Sequence, residues 1–342
     1  MRKLSLLVLV MAVMVAGARA GSDDLGSKLG GVTSDFAAGY LQPIANSFGA
    51  DMNSGWFHGA QMSNGFHLYF GIKAFGANVP SADQKFSLTF ADTVHVDRVI
   101  NGTQYTFVVP VQLSGTDMPT VFGDDQVKGT VSGSGSIDTN IAGAGPQHIV
   151  ATVNNKPLIA GLIKTSLAPL AMPQVTLGTI MGTDFTLRLI PTIKLDKYGS
   201  IGFYGVGVRH SISQYLGGEN APIDLAAGIA IQKLTIKDSL DNELLGASAF
   251  LLNVEASKSF SILTLYGGLQ FEKSSMDVHY TYHATLSSNS TPLDVPINFS
   301  MDASNKFRAL IGINLGLGPL NLNADYNVGT ISVISGGLGF SF

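Results

Sequence analysis

From Leu320 to Val328 the even positions are Leu320, Leu322, Ala324, Tyr326 and Val328, and the odd ones are Asn321, Asn323, Asp325 and Asn327. Successive side chains of an extended strand point to opposite faces, so this run has one apolar and one polar face. The same period returns further up the chain. Phe307, Ala309, Ile311, Ile313 and Leu315 alternate with Lys306, Arg308, Leu310, Gly312 and Asn314. Leu263, Leu265, Leu269 and Phe271 alternate with Thr264, Tyr266, Gln270 and Glu272, and Phe185, Leu187 and Leu189 with Thr186 and Arg188. Near the start, Phe66, Leu68, Phe70, Ile72 and Ala74 alternate with His67, Tyr69, Gly71 and Lys73. The chain closes in the same way, with Ile334, Leu338, Phe340 and Phe342 on one face and Ser341 off it.

Turn-forming clusters separate these runs, among them Asp196-Lys197-Tyr198-Gly199, Lys273-Ser274-Ser275, Asp302 to Asn305 and Gly316 to Pro319. The pattern predicts strands at 66–78, 84–91, 104–113, 174–180, 184–195, 200–212, 224–237, 245–257, 261–272, 276–286, 294–301, 305–317, 319–328 and 331–342. The fold class expected is all-β, a closed antiparallel transmembrane barrel of about 14 strands, an even number of roughly ten-residue segments. The alternation alone leaves open which face is outward, because a soluble sandwich shows the same period with its apolar face turned in.

Composition favours the membrane. Charged residues make up 13% of the 342, about half the ~25% usual in soluble chains. Mean hydropathy is +0.28, yet beyond the first residues no apolar run approaches the ~18 that a membrane helix needs. Arg2 and Lys3, the apolar run Leu4 to Ala16, and Ala18-Arg19-Ala20 read as a signal peptide over 1–20. Removing it takes three positive charges from a net charge of −4 and leaves −7. That balance argues against a nucleic-acid partner. The absence of Cys excludes disulfides, thiolate metal sites and a cysteine nucleophile. The expected location is the outer membrane of a Gram-negative cell. The expected partners are outer-membrane lipid and, through the C-terminal strand ending in Phe342, the barrel assembly machinery.

Two segments break the strand pattern. Phe36, Tyr40, Leu41, Ile44 and Phe48 recur at helical spacing behind the capping residues Ser34 and Asp35, with Pro43 set to kink the helix. Residues 21–65 are therefore expected to form a helical plug entering the lumen from the periplasm, or a periplasmic cap. The barrel would occupy 66–342, with residues 114–172 as an extracellular insertion. Within that insertion 123–147 is polar and rich in Gly and Ser, whereas Leu158, Ile159, Leu162, Ile163, Leu167 and Leu170 are spaced like a helix. An exposed apolar patch marks a binding site, so Phe36, Tyr40, Ile44, Phe48, Leu158, Leu162 and Ile163 are the candidate contacts for a hydrophobic ligand. By strand parity His67, Lys73, Arg188, Arg209, Glu272 and Arg308 would line the lumen.

Met172-Pro173-Gln174-Val175-Thr176-Leu177-Gly178, Gly182 to Pro191, Gly205-Val206-Gly207-Val208-Arg209-His210, Tyr40-Leu41-Gln42-Pro43 and Asn53-Ser54-Gly55 resemble an uncharacterised outer-membrane family of Bacteroidetes-type bacteria. The architecture is similar to the long-chain fatty-acid transporter (FadL) family. That resemblance implies a fourteen-stranded barrel, an amino-terminal plug, an apolar helical region after the third strand and sideways release at a kink in that strand, here Pro110. The chain lacks the Asn-Pro-Ala start typical of that family's plug.

No catalytic constellation stands out, and the chain is expected not to be an enzyme and to need no cofactor or metal. His279 and His283, with Asp277 nearby, have the spacing of strand neighbours and lack that of a helical metal site. Gly205-Val206-Gly207 lies inside a strand, where a dinucleotide fingerprint would have to open a helix. The leading expectation is passive uptake of small hydrophobic compounds such as fatty acids. The alternatives are a general porin, a structural barrel without a specific ligand, and a secreted all-β adhesion protein.

Overall fold

The computed structural model describes residues 34–62, 65–179, 181–194, 199–217, 221–284 and 293–342, without the side chains of 280–284 and 293–297. The expected signal peptide lies outside these residues. Among the described residues one α-helix, α1 (Ser34–Met52), precedes fifteen strands. They are β1 (His67–Asn78), β2 (Lys85–Ile100), β3 (Thr103–Pro119), β4 (Lys128–Ile141), β5 (Gly145–Ala160), β6 (Leu167–Gly178), β7 (Thr183–Lys194) and β8 (Ser200–Ser211). They continue as β9 (Asp224–Lys237), β10 (Glu243–Phe260), β11 (Leu263–Ala284), β12 (Leu293–Asp302), β13 (Phe307–Leu317), β14 (Leu320–Val328) and β15 (Val333–Ser341). Among the described residues no helix is long and apolar enough to cross a membrane.

The described residues form two units, one within 44–79 and 166–342, the other within 34–43 and 80–165. In the first, eleven strands are hydrogen-bonded in the order β10-β9-β8-β7-β6-β1-β15-β14-β13-β11-β12, and β10 also pairs with β11. Since β12 touches only β11, ten strands close a ring and β12 lies outside it. The first and last strands meet with Phe70 opposite Phe340, and Leu68 and Phe342 exchange both backbone hydrogen bonds at 2.9 and 2.8 Å. The ring is thus a closed antiparallel barrel of ten strands where the sequence predicts about 14.

Three departures account for the difference. The runs at 84–91 and 104–113 are real strands but belong to the other unit. Lys273-Ser274-Ser275, a turn by composition, lies inside β11, where Lys273 pairs with Phe250 and Ser274 with Ala249. The long β11 gives its first part to β13 and its second, Ser275–Ala284, to β12, so that hairpin is not part of the ring.

The pairing also decides which face is outward. Every ring strand turns large apolar side chains to the exterior: Ile72, Val175, Leu187, Val206, Ile231, Val254, Leu269, Ile311, Tyr326 and Leu338 are all exposed. The opposite parity is buried and polar, with Lys73, Gln174, Arg188, Arg209, Gln232, Asn253, Glu255, Gln270, Glu272, Arg308, Asn323 and Asp325 inside. A soluble barrel has the reverse polarity. Apolar outside and polar inside is the arrangement that a lipid solvent selects, because closure leaves no sheet edge unpaired.

The two rims differ. At the rim carrying His67 and Phe342 the connections include the short turns 261–262 and 318–319. Asn78 and Leu167, between which the second unit is inserted, belong to the opposite rim, as do the turn 238–242 and the β11–β12 hairpin. One seam is short: β6 meets β7 only over Gln174–Gly178 against Asp184–Arg188. Pro169 and Pro173 of β6 and Pro191 of β7 lie beyond it, and proline cannot donate to a ladder.

The second unit is not the loop-and-helix insertion that the sequence predicts. Strands β2 to β5 form a four-stranded sheet in chain order. Its middle seam is only Gln112–Ser114 against Ser132–Ser134, so the unit is two hairpins joined at a short hinge. Buried Phe90, Val109, Val111, Leu113, Val131 and Ile149 supply the core. The Asn101 amide donates to the Gly143 carbonyl at 3.2 Å and ties the two hairpin tips together. No helix forms over 157–170: Leu158 lies in β5, which runs to Ala160, and Leu167 to Leu170 open β6. A short apolar run is compatible with either period, and pairing with β1 settles it here.

Candidate functional site

The lumen of the barrel is filled by the chain itself. The helix α1 continues through Pro43, and its last residues with 53–61 run along the inside of the ring. Near one rim the Asn46 Oδ1 accepts from the Ser304 backbone N–H at 3.1 Å. Midway the Asn53 amide donates to Ser274 Oγ at 2.9 Å, while Gln232 and Gln270 donate to Asn53 at 3.1 and 3.0 Å. Towards the Phe342 rim, Ala60 donates to Ser257 Oγ at 2.8 Å and Ser259 Oγ to Gln61 Oε1 at 2.8 Å. Residues 46–61 therefore thread the barrel from rim to rim. The plug enters from the rim opposite Phe342, the reverse of the periplasmic approach expected if Phe342 faces the periplasm.

Three buried arginines hold this segment. Arg188 donates to the Met52 and Ser54 carbonyls at 3.1 and 2.9 Å and to Gln174 Oε1 at 2.9 Å, and its guanidinium stacks 4.2 Å from the Trp56 ring. Arg308 donates to the Ala50 carbonyl at 2.9 Å, to Ser54 Oγ, and to Glu272 Oε1 at 2.7 Å. Arg209 donates to the Gly59 carbonyl and to Asp184 Oδ2 at 2.5 Å, over the Phe57 ring. Glu255 answers from the other side by accepting the Gly59 N–H at 2.5 Å. These are charge-assisted bonds in a dry setting, the strong kind. They add charged donors to carbonyls of the last turn of α1, where the Ala50 and Met52 carbonyls also accept from Ser54 Oγ at 2.8 Å and Trp56 Nε1 at 3.0 Å, and to the Ser54 and Gly59 carbonyls beyond it.

The sheet is shaped to take the plug. A Cβ on Gly207 would come within 2.8 Å of the Trp56 ring, and one on Gly228 within 2.4 Å of the Phe57 ring. The glycines of Gly205-Val206-Gly207 thus have a packing purpose: they leave room for the chain's one tryptophan.

The expected lumen residues separate. Lys73, Arg188, Arg209, Glu272 and Arg308 are buried on the inner face, and His67 is half-buried at the rim, 3.5 Å from Asp184 Oδ1. Lys73 is also fully buried, donating to Asn323 Oδ1 at 2.6 Å. The expected ligand contacts do not gather into one site. Phe36 and Tyr40 are buried in the core of the second unit, where Phe36 meets Phe86 edge-on and the Tyr40 hydroxyl donates to the Ala160 carbonyl. Leu158, Leu162 and Ile163 are half-buried in that same unit, whereas Ile44 and Phe48 are half-buried on the barrel side of α1. Pro110 sits in β3 opposite Thr93, so it cannot kink a barrel strand. Sequence reasoning missed Trp56, Phe57, Gln174, Gln232 and Gln270. The signal available was the aromatic pair Trp56-Phe57 directly after Asn53-Ser54-Gly55. Among the described residues no group of three or more His, Asp or Glu could hold a metal ion.

Among solved structures the chain is similar to OmpT, an outer membrane protein of Vibrio cholerae, at 9% identity over 81% of this chain and 100% of that one, TM-score 0.24. It is similar to OpdO of Pseudomonas aeruginosa at 8% identity over 84% and 99%, TM-score 0.22. It is also similar to the translocator domain of the autotransporter NalP from Neisseria meningitidis at 12% identity over 90% and 96%, TM-score 0.23. Superpositions this loose carry no weight beside the protein's own strand pairing. No curated protein matches the chain in sequence. A family model does match, over residues 1–342, and the chain belongs to that family, the family of unknown function DUF6588.

Proposed function

We propose that this protein is an outer-membrane barrel closed by its own amino-terminal segment, whose role is to anchor the β2–β5 unit at the cell surface. The observation that supports this most is the clamp of Arg188, Arg209 and Arg308 on residues 50–59. A lumen whose buried arginines are already spent on the plug's own carbonyls is occupied by the chain, which weighs against a general porin. The short turns at the Phe342 rim and the insertion at the other fit a barrel with Phe342 in the periplasm, as membrane barrels have short periplasmic turns and longer outer loops. Outer-membrane lipid then covers the apolar exterior, and the assembly machinery reads the strand ending in Phe342. No catalysis and no cofactor enter this role.

The test uses the lack of cysteine. A single cysteine at Ser136 in β4 should react with a membrane-impermeant maleimide on intact cells, and one at Met181 should react only after the outer membrane is opened. The purified protein should show no stable ion conductance in a planar bilayer. Labelling of Met181 and not Ser136, or a steady porin-like conductance, would overturn the proposal.

A second reading, passive uptake of small hydrophobic compounds, has one observation in its favour. Behind the short β6–β7 seam the inner face is apolar, with Leu170, Met172 and Ile190 buried there. A lateral path would pass at this seam, at Pro169, Pro173 and Pro191, and not at Pro110. Fatty-acid uptake by cells expressing the protein, abolished when β6 and β7 are cross-linked, would support it. Uptake equal to that of cells lacking the protein would remove it.

A further inference from the structure

Two strands of the ring reach across a third. Lys73 of β1 and Asn323 of β14 both stand opposite Gly337 of the intervening β15. A Cβ on Gly337 would lie 2.8 Å from Lys73 Cδ and 2.6 Å from Asn323 Oδ1, so this glycine is the notch through which the lysine stem crosses β15. Lys73 Nζ then donates to Asn323 Oδ1 at 2.6 Å. A C=O bond is about 1.23 Å long, so Nζ lies no more than about 3.8 Å from Asn323 Cγ, beside the ~3–3.5 Å of a near-attack geometry. Lys73 is fully buried, and its second hydrogen bond, at 3.3 Å, goes to His58 Nδ1 of the plug. The carboxylates that act on it electrostatically, Asp325 and Glu255, hydrogen-bond elsewhere, to the Tyr266 hydroxyl at 3.0 Å and the Gly59 N–H at 2.5 Å. A buried ammonium with no carboxylate bonded to it is costly to keep.

An amine, a side-chain amide and a proton acceptor in a site closed to water are the parts of an amide exchange. We propose that Lys73 and Asn323 join in an isopeptide bond that staples β1 to β14 across β15. His58 Nδ1 accepts one proton from the Lys73 ammonium, and the freed lone pair adds to Asn323 Cγ. The Nζ–Cγ bond forms and the Cγ–Nδ2 bond breaks. Nδ2, which donates to Asn321 Oδ1 at 3.3 Å beforehand, takes a second proton from Nζ and leaves as ammonia. The proton held by His58 turns that ammonia into ammonium, so the buried charge departs with it and no oxidant or reductant is needed. The staple spans the place where the first and last strands close the ring. It forms only after closure, because β15 must lie between its partners to bring them together. It rests on the closed ring and not on the anchoring role.

The experiment weighs the full mature chain by intact mass spectrometry, both extracted from outer membranes and at intervals after refolding from urea into detergent micelles. The unfolded chain should have its sequence mass, and the folded one should become lighter by one ammonia. Trypsin should then fail to cut after Lys73, and digestion should give a branched peptide that joins the Lys73 and Asn323 segments. Lys73→Arg and Asn323→Leu should each keep the sequence mass, and His58→Gln should lose ammonia more slowly than wild type. The heat-modifiable gel band reports the folded barrel separately in each sample. A folded wild-type barrel that keeps its sequence mass from both sources would overturn the proposal. So would an ammonia loss confined to one unbranched peptide, the mark of a cyclised asparagine, or an equal loss in Lys73→Arg. An undiminished rate in His58→Gln would overturn the proton route through His58.

Discussion

Replacing Arg308 by Met tests the clamp where it is most exposed to failure. The substitution keeps the apolar stem and removes three hydrogen bonds, to Ala50, Ser54 and Glu272. Glu272, 1% exposed, would retain only the Gln270 amide at 2.6 Å. Breaking a buried ion pair from one side costs about 3–5 kcal/mol, because the other charge is left uncompensated. At ~1.4 kcal/mol per decade this is roughly a hundredfold to a few thousandfold in the unfolding equilibrium. Removing both charges, as in Arg308→Met with Glu272→Met, should recover ~1–3 kcal/mol of that loss, since contacting residues couple by such amounts. The protein supplies its own reporter: Trp56, the only tryptophan, sits in the plug with its ring against Arg188. Urea titrations of the refolded barrel, followed by Trp56 emission, give the midpoints. A single variant within ~0.5 kcal/mol of wild type, the range of ordinary surface substitutions, would refute the clamp. So would a double variant less stable than the single one.

Other expected outcomes follow from the same geometry. Leu187→Arg, on the outward face of β7, should cost about 2–4 kcal/mol and deplete the heat-modifiable folded band; an undiminished band would mean that this face does not meet lipid. Gly207→Val should displace the plug, seen as a red-shifted and more easily quenched Trp56 emission, because its Cβ would lie 2.8 Å from the indole; an unaltered spectrum would contradict the packing. In the β2–β5 unit the Asp124 carboxyl is held below its ordinary range, first by the Lys164 hydrogen bond and then by the Gln126 N–H. Its contribution to stability is therefore present above the ordinary carboxylate value and lost as pH falls through the lowered one. A carboxyl NMR titration should show a low midpoint that rises in Lys164→Gln, and an unmoved midpoint would deny the pairing. Deleting Phe342 should slow appearance of the folded barrel in cells without reducing export, and an unchanged rate would argue against recognition through the last residue.

The strand parity of the ring was readable from the sequence wherever a polar residue fell on every second position. Leu320 to Val328 and Phe185 to Leu189 lie as their alternation predicts, and Arg188, Arg308 and Glu272 are inside for the same reason. Periodicity identifies a strand but not its sheet, and this is why 84–91 and 104–113 read as barrel strands by pattern while they pair in the other unit. Composition misled at Lys273-Ser274-Ser275, where pairing with β10 overrides a local turn preference. Spacing misled at 157–170, where a short apolar run suits either period. The plug was the least legible part. Nothing local to Asn53-Ser54-Gly55-Trp56 shows that three arginines from β7, β8 and β13, more than a hundred residues away, bind its carbonyls.

The central claim is that residues 46–61 thread a closed ten-stranded ring, and paired cysteines test it most directly. One pair replaces Asn46 and Ser304, which touch at one rim. The other replaces Gln61 and Ser259, which touch at the opposite rim. With a short thiol cross-linker both pairs should join in the same folded molecule, giving a doubly looped chain of altered mobility on a denaturing gel. Cross-linking at only one rim, or at neither, in protein that still shows the folded band would mean that the segment does not pass through the barrel.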